Sequence, residues 1–276
     1  MIKRTMLGAT AVAASLMLAA CGSSSDNATD NPGNAGASTS TGAGASLDLI
    51  TPGTLTVCSD VPYAPFEDFD KTSASGFKGF DVDIVSKIAG DLGLKLVIKD
   101  SDFNALKSGV ALKTNQCDLI ASAMSIKPER QAVMDFSTPY FAADQSLLVP
   151  DGSSITSIDD LAGKKVGVQT GTTGEDYAKA HATGATLVAM PDDGTEFQAL
   201  KAGQVDALLQ DLPVNALHAT AGGYTVVQTY TTDENYGLAM KKGNTQLVTD
   251  VDASLKKMKD DGDYQTIYDT YFPKKK

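Results

Sequence analysis

Arginine, histidine and cysteine are nearly absent from this chain of 276 residues, and each scarcity narrows what it can do. The two histidines, His181 and His218, have no second histidine or cysteine at ligand spacing, so no metal site and no cofactor are expected. Three cysteines do not make a disulfide framework; Cys58 and Cys117 read as buried apolar residues, and Cys21 belongs to the N-terminal signal described next. No Gly-X-Ser-X-Gly elbow occurs and neither histidine stands in a catalytic context, so nucleophilic catalysis has no support. Positive charge is also short, with 23 Lys and Arg against 34 Asp and Glu. A surface of that sign disfavours nucleic acid and anionic lipid as partners.

The first twenty residues carry Lys3 and Arg4, then an apolar run rich in Ala, Leu and Met, then "LAAC" at 18–21. The run is too short for a comfortable membrane span and has the order of an export signal. Small residues ahead of a single cysteine resemble the lipobox of bacterial lipoproteins. That resemblance implies a signal peptide over 1–20 and acylation of Cys21. Loss of Lys3 and Arg4 takes the formal charge from −11 to −13. The stretch up to residue 46 is almost wholly Gly, Ser, Ala, Thr, Asn and Asp, which cannot bury a core. Residues 21–46 therefore read as the acylated cysteine and a flexible tether with a reach of about 25–30 Å. No later segment holds about eighteen apolar residues in a row, so the expected arrangement is a folded domain held just off a membrane.

From about residue 50, short apolar runs alternate with helical patterns, the signature of α/β architecture. Strands are expected at 54–60, 94–99, 117–123, 145–149, 164–169, 185–190, 205–211, 224–228 and 236–240. Helices are expected at 79–93, 103–113, 128–134, 157–162, 174–183, 194–203, 213–221 and 244–270. In "GFDVDIVSKIAGDLG" (79–93), Val82, Ile84, Val85, Ile88 and Leu92 share one side and Gly93 ends the helix. The same strand and helix unit occurs before residue 125 and again over 164–211, which favours two units over one. The segments "PYFAADQSLLVP" and "ENYGLAMKKG" are the expected crossings.

The stretch "QTGTTGEDY" (169–177) places glycines between a strand and a helix N-terminus, where free N–H groups and the helix dipole favour an anion. It lacks the lysine of a phosphate loop, so it suits a smaller anion or is only a well-capped helix start. Arginine is more telling. Beyond the signal the chain has twenty lysines and one arginine, Arg130, in "SAMSIKPER". A lone guanidinium suggests bidentate recognition of a planar carboxylate, which lysine cannot perform. Open α/β sheets bind ligands at strand C-terminal ends. That rule singles out Asp60 with Tyr63 and Phe66 after the first strand, Ser122, Ala123 and Ser125 after the third, and Gln210 and Asp211 later on. Tyr63 and Phe103 also read as core aromatics, Asp211 as a cap for the helix near Pro213, and Glu175 and Asp176 as surface acids favoured by the helix dipole.

"GFDVDIVSKIAGDL" (79–92) resembles the signature of the extracellular solute-binding proteins of family 3, which feed amino acids to ABC importers. The resemblance runs on through "PYAPFE", "MSIKPER", "MDFSTPYF", "LAGKKVGVQTGTTGEDYA", "GQVDALLQD" and "DGDYQTIYDTYF", from residue 54 to the end. It implies an α/β, two-lobed type II periplasmic-binding fold, each lobe a mostly parallel sheet flanked by helices and joined by two hinge crossings. Lobe 1 would take 47–142 and 238–276, and lobe 2 would take 143–237.

The resemblance also implies roles. Arg130 would pair with the α-carboxylate of a free L-amino acid, helped by Thr172, Thr173 and the Ser125 N–H. Asp211, Ser122 and the Ala123 backbone would receive the α-ammonium. Tyr63 and Phe103 would sandwich the side chain, with Asp60, Gln169 and Gln210 at its far end. An acid at Asp60 favours arginine, lysine, ornithine or histidine, then glutamine. The implied protein is a monomeric binding protein rather than an enzyme, exported, anchored through Cys21 on the outer face of the cytoplasmic membrane and partnered by an ABC permease. A small periplasmic dehydratase of the same build is the rival reading. A sensor or a cell-wall lytic enzyme would need further segments that are not expected in a chain stopping at Lys276.

Overall fold

A strand covered on both faces reads as a continuous apolar run rather than an alternation. "TLTVCS" is such a run and forms β1 (Thr54–Ser59), buried over its last five residues. The computed structural model describes residues 47–272. The expected signal peptide, Cys21 and the whole of the expected tether up to residue 46 fall outside the described residues, as do residues 273–276.

After β1 come a short hairpin, β2 (Asp68–Phe69) and β3 (Phe77–Lys78), and then α1 (Phe80–Asp91). Val82, Ile84, Val85 and Ile88 of α1 are buried, as their spacing requires. The chain continues through β4 (Lys95–Asp100), α2 (Phe103–Lys107), α3 (Val110–Lys113), β5 (Leu119–Ile120), α4 (Pro128–Gln131) and β6 (Met134–Phe136). Next are β7 (Phe141–Pro150), a 3-10 turn (Ile158–Leu161), β8 (Lys165–Gln169), α5 (Thr173–His181), β9 (Thr186–Met190), α6 (Asp193–Lys201), β10 (Ala207–Asp211) and α7 (Leu212–Thr220). β11 (Tyr224–Tyr236), β12 (Ala239–Lys241), α8 (Thr245–Asp261) and α9 (Asp263–Tyr271) complete it. Two helices expected to be continuous are divided at glycines with left-handed backbone, Gly109 at φ 71° and Gly262 at φ 86°. No helix among the described residues is long and apolar enough to cross a membrane.

The strands form two five-stranded sheets, ordered β4-β1-β5-β12-β6 and β11-β7-β10-β8-β9. Both are mixed rather than mostly parallel. In the first, β1 runs parallel to β4 and β5 while β12 is antiparallel to its neighbours. In the second, β8 runs parallel to β9 and β10 while β7 is antiparallel to β10 and β11. The antiparallel pairs arise where the chain crosses between lobes.

β7 and β11 are those crossings. They pair antiparallel from Tyr236 opposite Phe141 to Tyr224 opposite Pro150, with register shifts that include one at Tyr230/Glu234. Their ends at Phe141 and Tyr236 sit in the core of the first lobe, where Phe66 packs edge-on against both. Leu147, Val149 and Tyr230 of the same two strands belong to the core of the second lobe. The two strands are thus threaded through both cores.

The two cysteines are buried as expected, and the structure adds a bond between them. Cys58 and Cys117 are joined in a disulfide, with Cα atoms 5.7 Å apart. β1 and β5 are neighbours in register, Cys58 opposite Ile120, and this brings the segment before β5 alongside Cys58. The bridge closes a loop with a sequence separation of 59 beneath the strand ends that carry Asp60 and Ser122. In the chain-entropy account such a loop is worth about 4 kcal/mol. The double variant Cys58→Ala/Cys117→Ala is expected to unfold at a clearly lower denaturant midpoint than the oxidised protein; equal midpoints would contradict the bridge's role.

Candidate functional site

Eleven of the twelve expected site residues line one cavity between the lobes: Asp60, Tyr63, Phe103, Ser122, Ala123, Ser125, Arg130, Gln169, Thr172, Thr173 and Asp211. They arrive there because strand ends and the turns after them open at the same edge of each sheet. The cavity measures about 10 Å³, room for about one water molecule. The lobes are shut on it.

From the first lobe, Arg130 enters on α4, 4% exposed. Its Nη1 donates to the Ser125 carbonyl at 2.9 Å, and the guanidinium lies 5.4 Å from the centre of the Phe103 ring. Burial pulls its pKa down, opposed by the charges of Glu129, Glu234, Asp211 and Asp176. Among the described residues no carboxylate is in ion-pair contact with it. Ala123 takes φ 43°, left-handed backbone for a residue with a Cβ, and its N–H donates to Asp81 Oδ2 at 2.9 Å.

From the second lobe comes the turn at 169–177. Thr172 caps α5 by accepting from the Glu175 N–H at 3.1 Å and donates its hydroxyl to the Gln169 carbonyl at 2.8 Å. Glu175 folds back on the Gly171 N–H at 2.7 Å and pairs with Lys179, so it is tied up within the turn. The N–H groups of Thr173 and Gly174 keep no acceptor among the described residues. The glycines are there for close approach. A Cβ on Gly171 would run into Lys107 Nζ and lie 2.8 Å from Asn104 Oδ1, both on the opposite lobe, and one on Gly174 would lie 2.8 Å from the Leu209 carbonyl oxygen.

Hydrogen bonds cross the cleft at several points. Tyr63 donates to Asp211 Oδ2 at 2.7 Å, and Gln169 Nε2 donates to Asp60 Oδ2 at 2.5 Å. Lys127 lies 2.8 Å from Asp176 across the cleft and 3.0 Å from Glu129 on its own side. Asp211 also accepts from Tyr236 and Gln145, both on the hinge strands. It stands at the N-terminus of α7 without a side-chain capping bond, so capping is not its role. Burial lifts its pKa to about 6, with Glu234 adding to the rise. Burial lifts Asp60 to about 7, offset by Gln169 and reinforced by Asp100, Asp102 and Asp192.

Gln210 is the expected residue that does not reach the cavity. Successive strand residues face opposite sides of a sheet, so with Asp211 in the cleft Gln210 points away. Its Nε2 donates to Asp193 at 2.9 Å and Asn215 at 3.0 Å inside the second lobe. Residues the sequence reading missed include Gln145, which bonds Asp211 and lies 3.1 Å from Glu234, and Glu234 itself, which accepts from Ser125 Oγ at 2.8 Å. Their signal is faint, since both sit on hinge strands whose course is set by partners far away in sequence. Among the described residues no cluster of three or more metal-ligating side chains occurs.

Asp60 makes a pH prediction. A carboxyl whose folded pKa is raised binds its proton more tightly when folded, so its contribution to stability is full below the ordinary value of 3.8 and is lost as pH rises through about 7. Asp60→Asn removes that loss. Between pH 5 and pH 8 its stability is expected to fall less than the wild type's, by on the order of 2 kcal/mol. Denaturant unfolding at the two pH values checks this, and parallel changes in both proteins would contradict it.

Comparison with known proteins identifies the family. The family model described as bacterial extracellular solute-binding proteins, family 3, matches residues 55–274. The ABC transporter glutamine-binding protein GlnH of Bacillus subtilis is 38% identical over 204 residues, covering 72% of this chain and 74% of that one. An ancestral arginine-binding protein solved bound to arginine aligns with TM-score 0.74 at 37% identity, covering 80% of this chain and 98% of that one. An ancestral amino acid-binding protein described as a precursor of cyclohexadienyl dehydratase aligns with TM-score 0.72 at 36% identity, covering 80% and 95%. With its model matched over nearly the whole described region, the chain belongs to the bacterial extracellular solute-binding proteins of family 3.

Proposed function

We propose that this protein captures a free polar or basic L-amino acid outside the cytoplasm by closing its lobes and delivers it to an ABC import permease. Arginine, lysine, ornithine and histidine lead as ligands, with glutamine next. The observation that carries the reading is Arg130, a buried guanidinium without a carboxylate in contact, in one cavity with two carboxyls at other positions, Asp211 and Asp60. A buried cation is costly unless an anion meets it. An α-carboxylate at Arg130, with the free N–H of Thr173 lining the same cavity, meets that need. The α-ammonium then falls to Asp211, Ser122 and Ala123, and Asp60 with Gln169 takes the far end of the side chain.

The cavity of about 10 Å³ is far too small for an amino acid, so the lobes must part to admit one. On re-closing, the ligand takes over partners that Tyr63, Gln169 and Arg130 now find within the protein. Differential contact with the shut form is what lets a ligand drive closure. The likeness to glutamine-binding and arginine-binding proteins supports the ligand class. Export, acylation at Cys21 and the tether over 21–46 rest on the sequence signal and would hold the binding domain near a permease. The rival reading, a dehydratase, draws on the solved precursor protein; mass spectrometry of incubated amino acids separates turnover from binding.

Thermal-shift screening is expected to show a higher melting temperature with arginine, lysine, ornithine or histidine, a smaller rise with glutamine and none with glutamate. Tight binding of glutamate alone would overturn the role given to Asp60. By calorimetry, Arg130→Ala is expected to weaken binding of the best ligand by about 2–5 kcal/mol. An unchanged dissociation constant would contradict the carboxylate assignment.

A further inference from the structure

Two carboxyl groups lie behind the cavity without touching it. Glu67 follows the turn after β1, Asp81 sits in the first turn of α1, and both are fully buried. Each is bonded to the short turn between β5 and α4 that forms one wall of the cavity. Ser122 Oγ donates to Glu67 Oε1 at 2.7 Å, and the Ala123 N–H donates to Asp81 Oδ2 at 2.9 Å. Asp81 Oδ2 also accepts from the Tyr140 hydroxyl at 2.7 Å, one residue before the hinge strand β7. The second oxygens, Glu67 Oε2 and Asp81 Oδ1, have no hydrogen-bond partner among the described residues.

A hydroxyl has one proton to give and two lone pairs. At Ser122 the proton goes inward to Glu67, and one lone pair accepts from the Asp60 N–H at 3.0 Å. The remaining lone pair is what Ser122 can offer the cavity. The Ala123 N–H, a donor that would repel an ammonium, is likewise turned inward, and this needs the left-handed backbone at φ 43°. We propose that Glu67 and Asp81 are positioning residues for the ammonium end of the cavity, committing the donors of Ser122 and Ala123 inward so that this wall presents acceptors and no donor. The proposal rests on the amino-acid reading above and adds a reason why that wall prefers –NH₃⁺ to a neutral or apolar group. Burial, and then the charge of Asp81, push the Glu67 carboxyl well above its usual range, and burial lifts Asp81 to about 7. A proton held by Glu67 has Oε2 to occupy, which leaves Oε1 as the acceptor for Ser122.

The test compares arginine and glutamine with their desamino analogues, which keep the side chain and carboxylate but lack the α-ammonium. Calorimetry gives the preference, the ratio of the two dissociation constants, for the wild type, Glu67→Met, Asp81→Leu and Ser122→Ala, the first two substitutions removing the acceptor that holds each donor inward. Each of the first two variants is expected to lower the preference for the ammonium form about tenfold, the scale of one hydrogen bond to a charged group. Glu67→Met combined with Ser122→Ala is expected to lose little more than Ser122→Ala alone, because Glu67 acts through that hydroxyl. A purely structural role would weaken amino acid and analogue alike and leave the ratio where it was. If one variant does not fold, the other carries the same readout. A wild type that binds neither amino acid would overturn the amino-acid reading itself. A wild type that binds, with a ratio unchanged in the folded variants, would overturn the role of Glu67 and Asp81 alone.

Discussion

The carboxylate of Asp211 is where the two lobes and the hinge are fastened together. It accepts from Tyr63 on one lobe and from Tyr236 and Gln145 on the two crossing strands, while its own backbone ends β10 on the other lobe. A buried carboxylate is tolerable only when its oxygens are met by donors. Here one of those donors, Tyr63, comes from the opposite lobe, so only the shut arrangement satisfies this group in full. When the lobes part, Tyr63 leaves with its lobe, and Asp211 is left with the two hinge-strand donors and an open position on the cleft side.

The rest of the cavity follows the same logic. Charges of both signs are brought into a space with room for about one water, and each is partnered provisionally by a neutral group: Arg130 by the carbonyls of Ser125 and Gly171, Asp60 by the Gln169 amide. Neutral partners satisfy hydrogen bonding without cancelling charge. In the proposed reading, a zwitterion with a polar or cationic side chain would supply what they lack. Arg130 has a reason to be arginine, since its fork can hold a carboxylate while its face lies over Phe103. Gly171 in the turn at 169–177 has a different reason, the approach of Lys107 and Asn104 from the far side of the cleft.

Much of this was legible in the sequence because it is local. The apolar run of β1, the buried spacing in α1 and the strand ends carrying Asp60 and Asp211 can be read without knowing what lies nearby. Gln210 shows a limit: strand alternation alone places it on the face opposite Asp211, and naming both as site residues disregarded the pleat. β6 lay hidden beside a helix expected to run through residue 134, and β11 extends to Tyr236 because pairing with β7 carries a polar alternation that has no apolar run to announce it. The Cys58–Cys117 bridge depends on β1 and β5 becoming neighbours, a fact of topology rather than spacing. Glu67 and Asp81 stood in recognised motifs, but nothing in the chain order says that they meet behind Ser122 and Ala123.

The central claim is that ligand charges replace the provisional partners of the cavity's own charged groups, and proton counting tests it most directly. With the Asp60 carboxyl near pKa 7, a cationic side chain settling against it must displace its proton. Calorimetric titration of arginine at pH 7, repeated in buffers of different ionisation enthalpy, is predicted to show release of about half a proton per ligand bound. Binding with no net proton release would contradict the account.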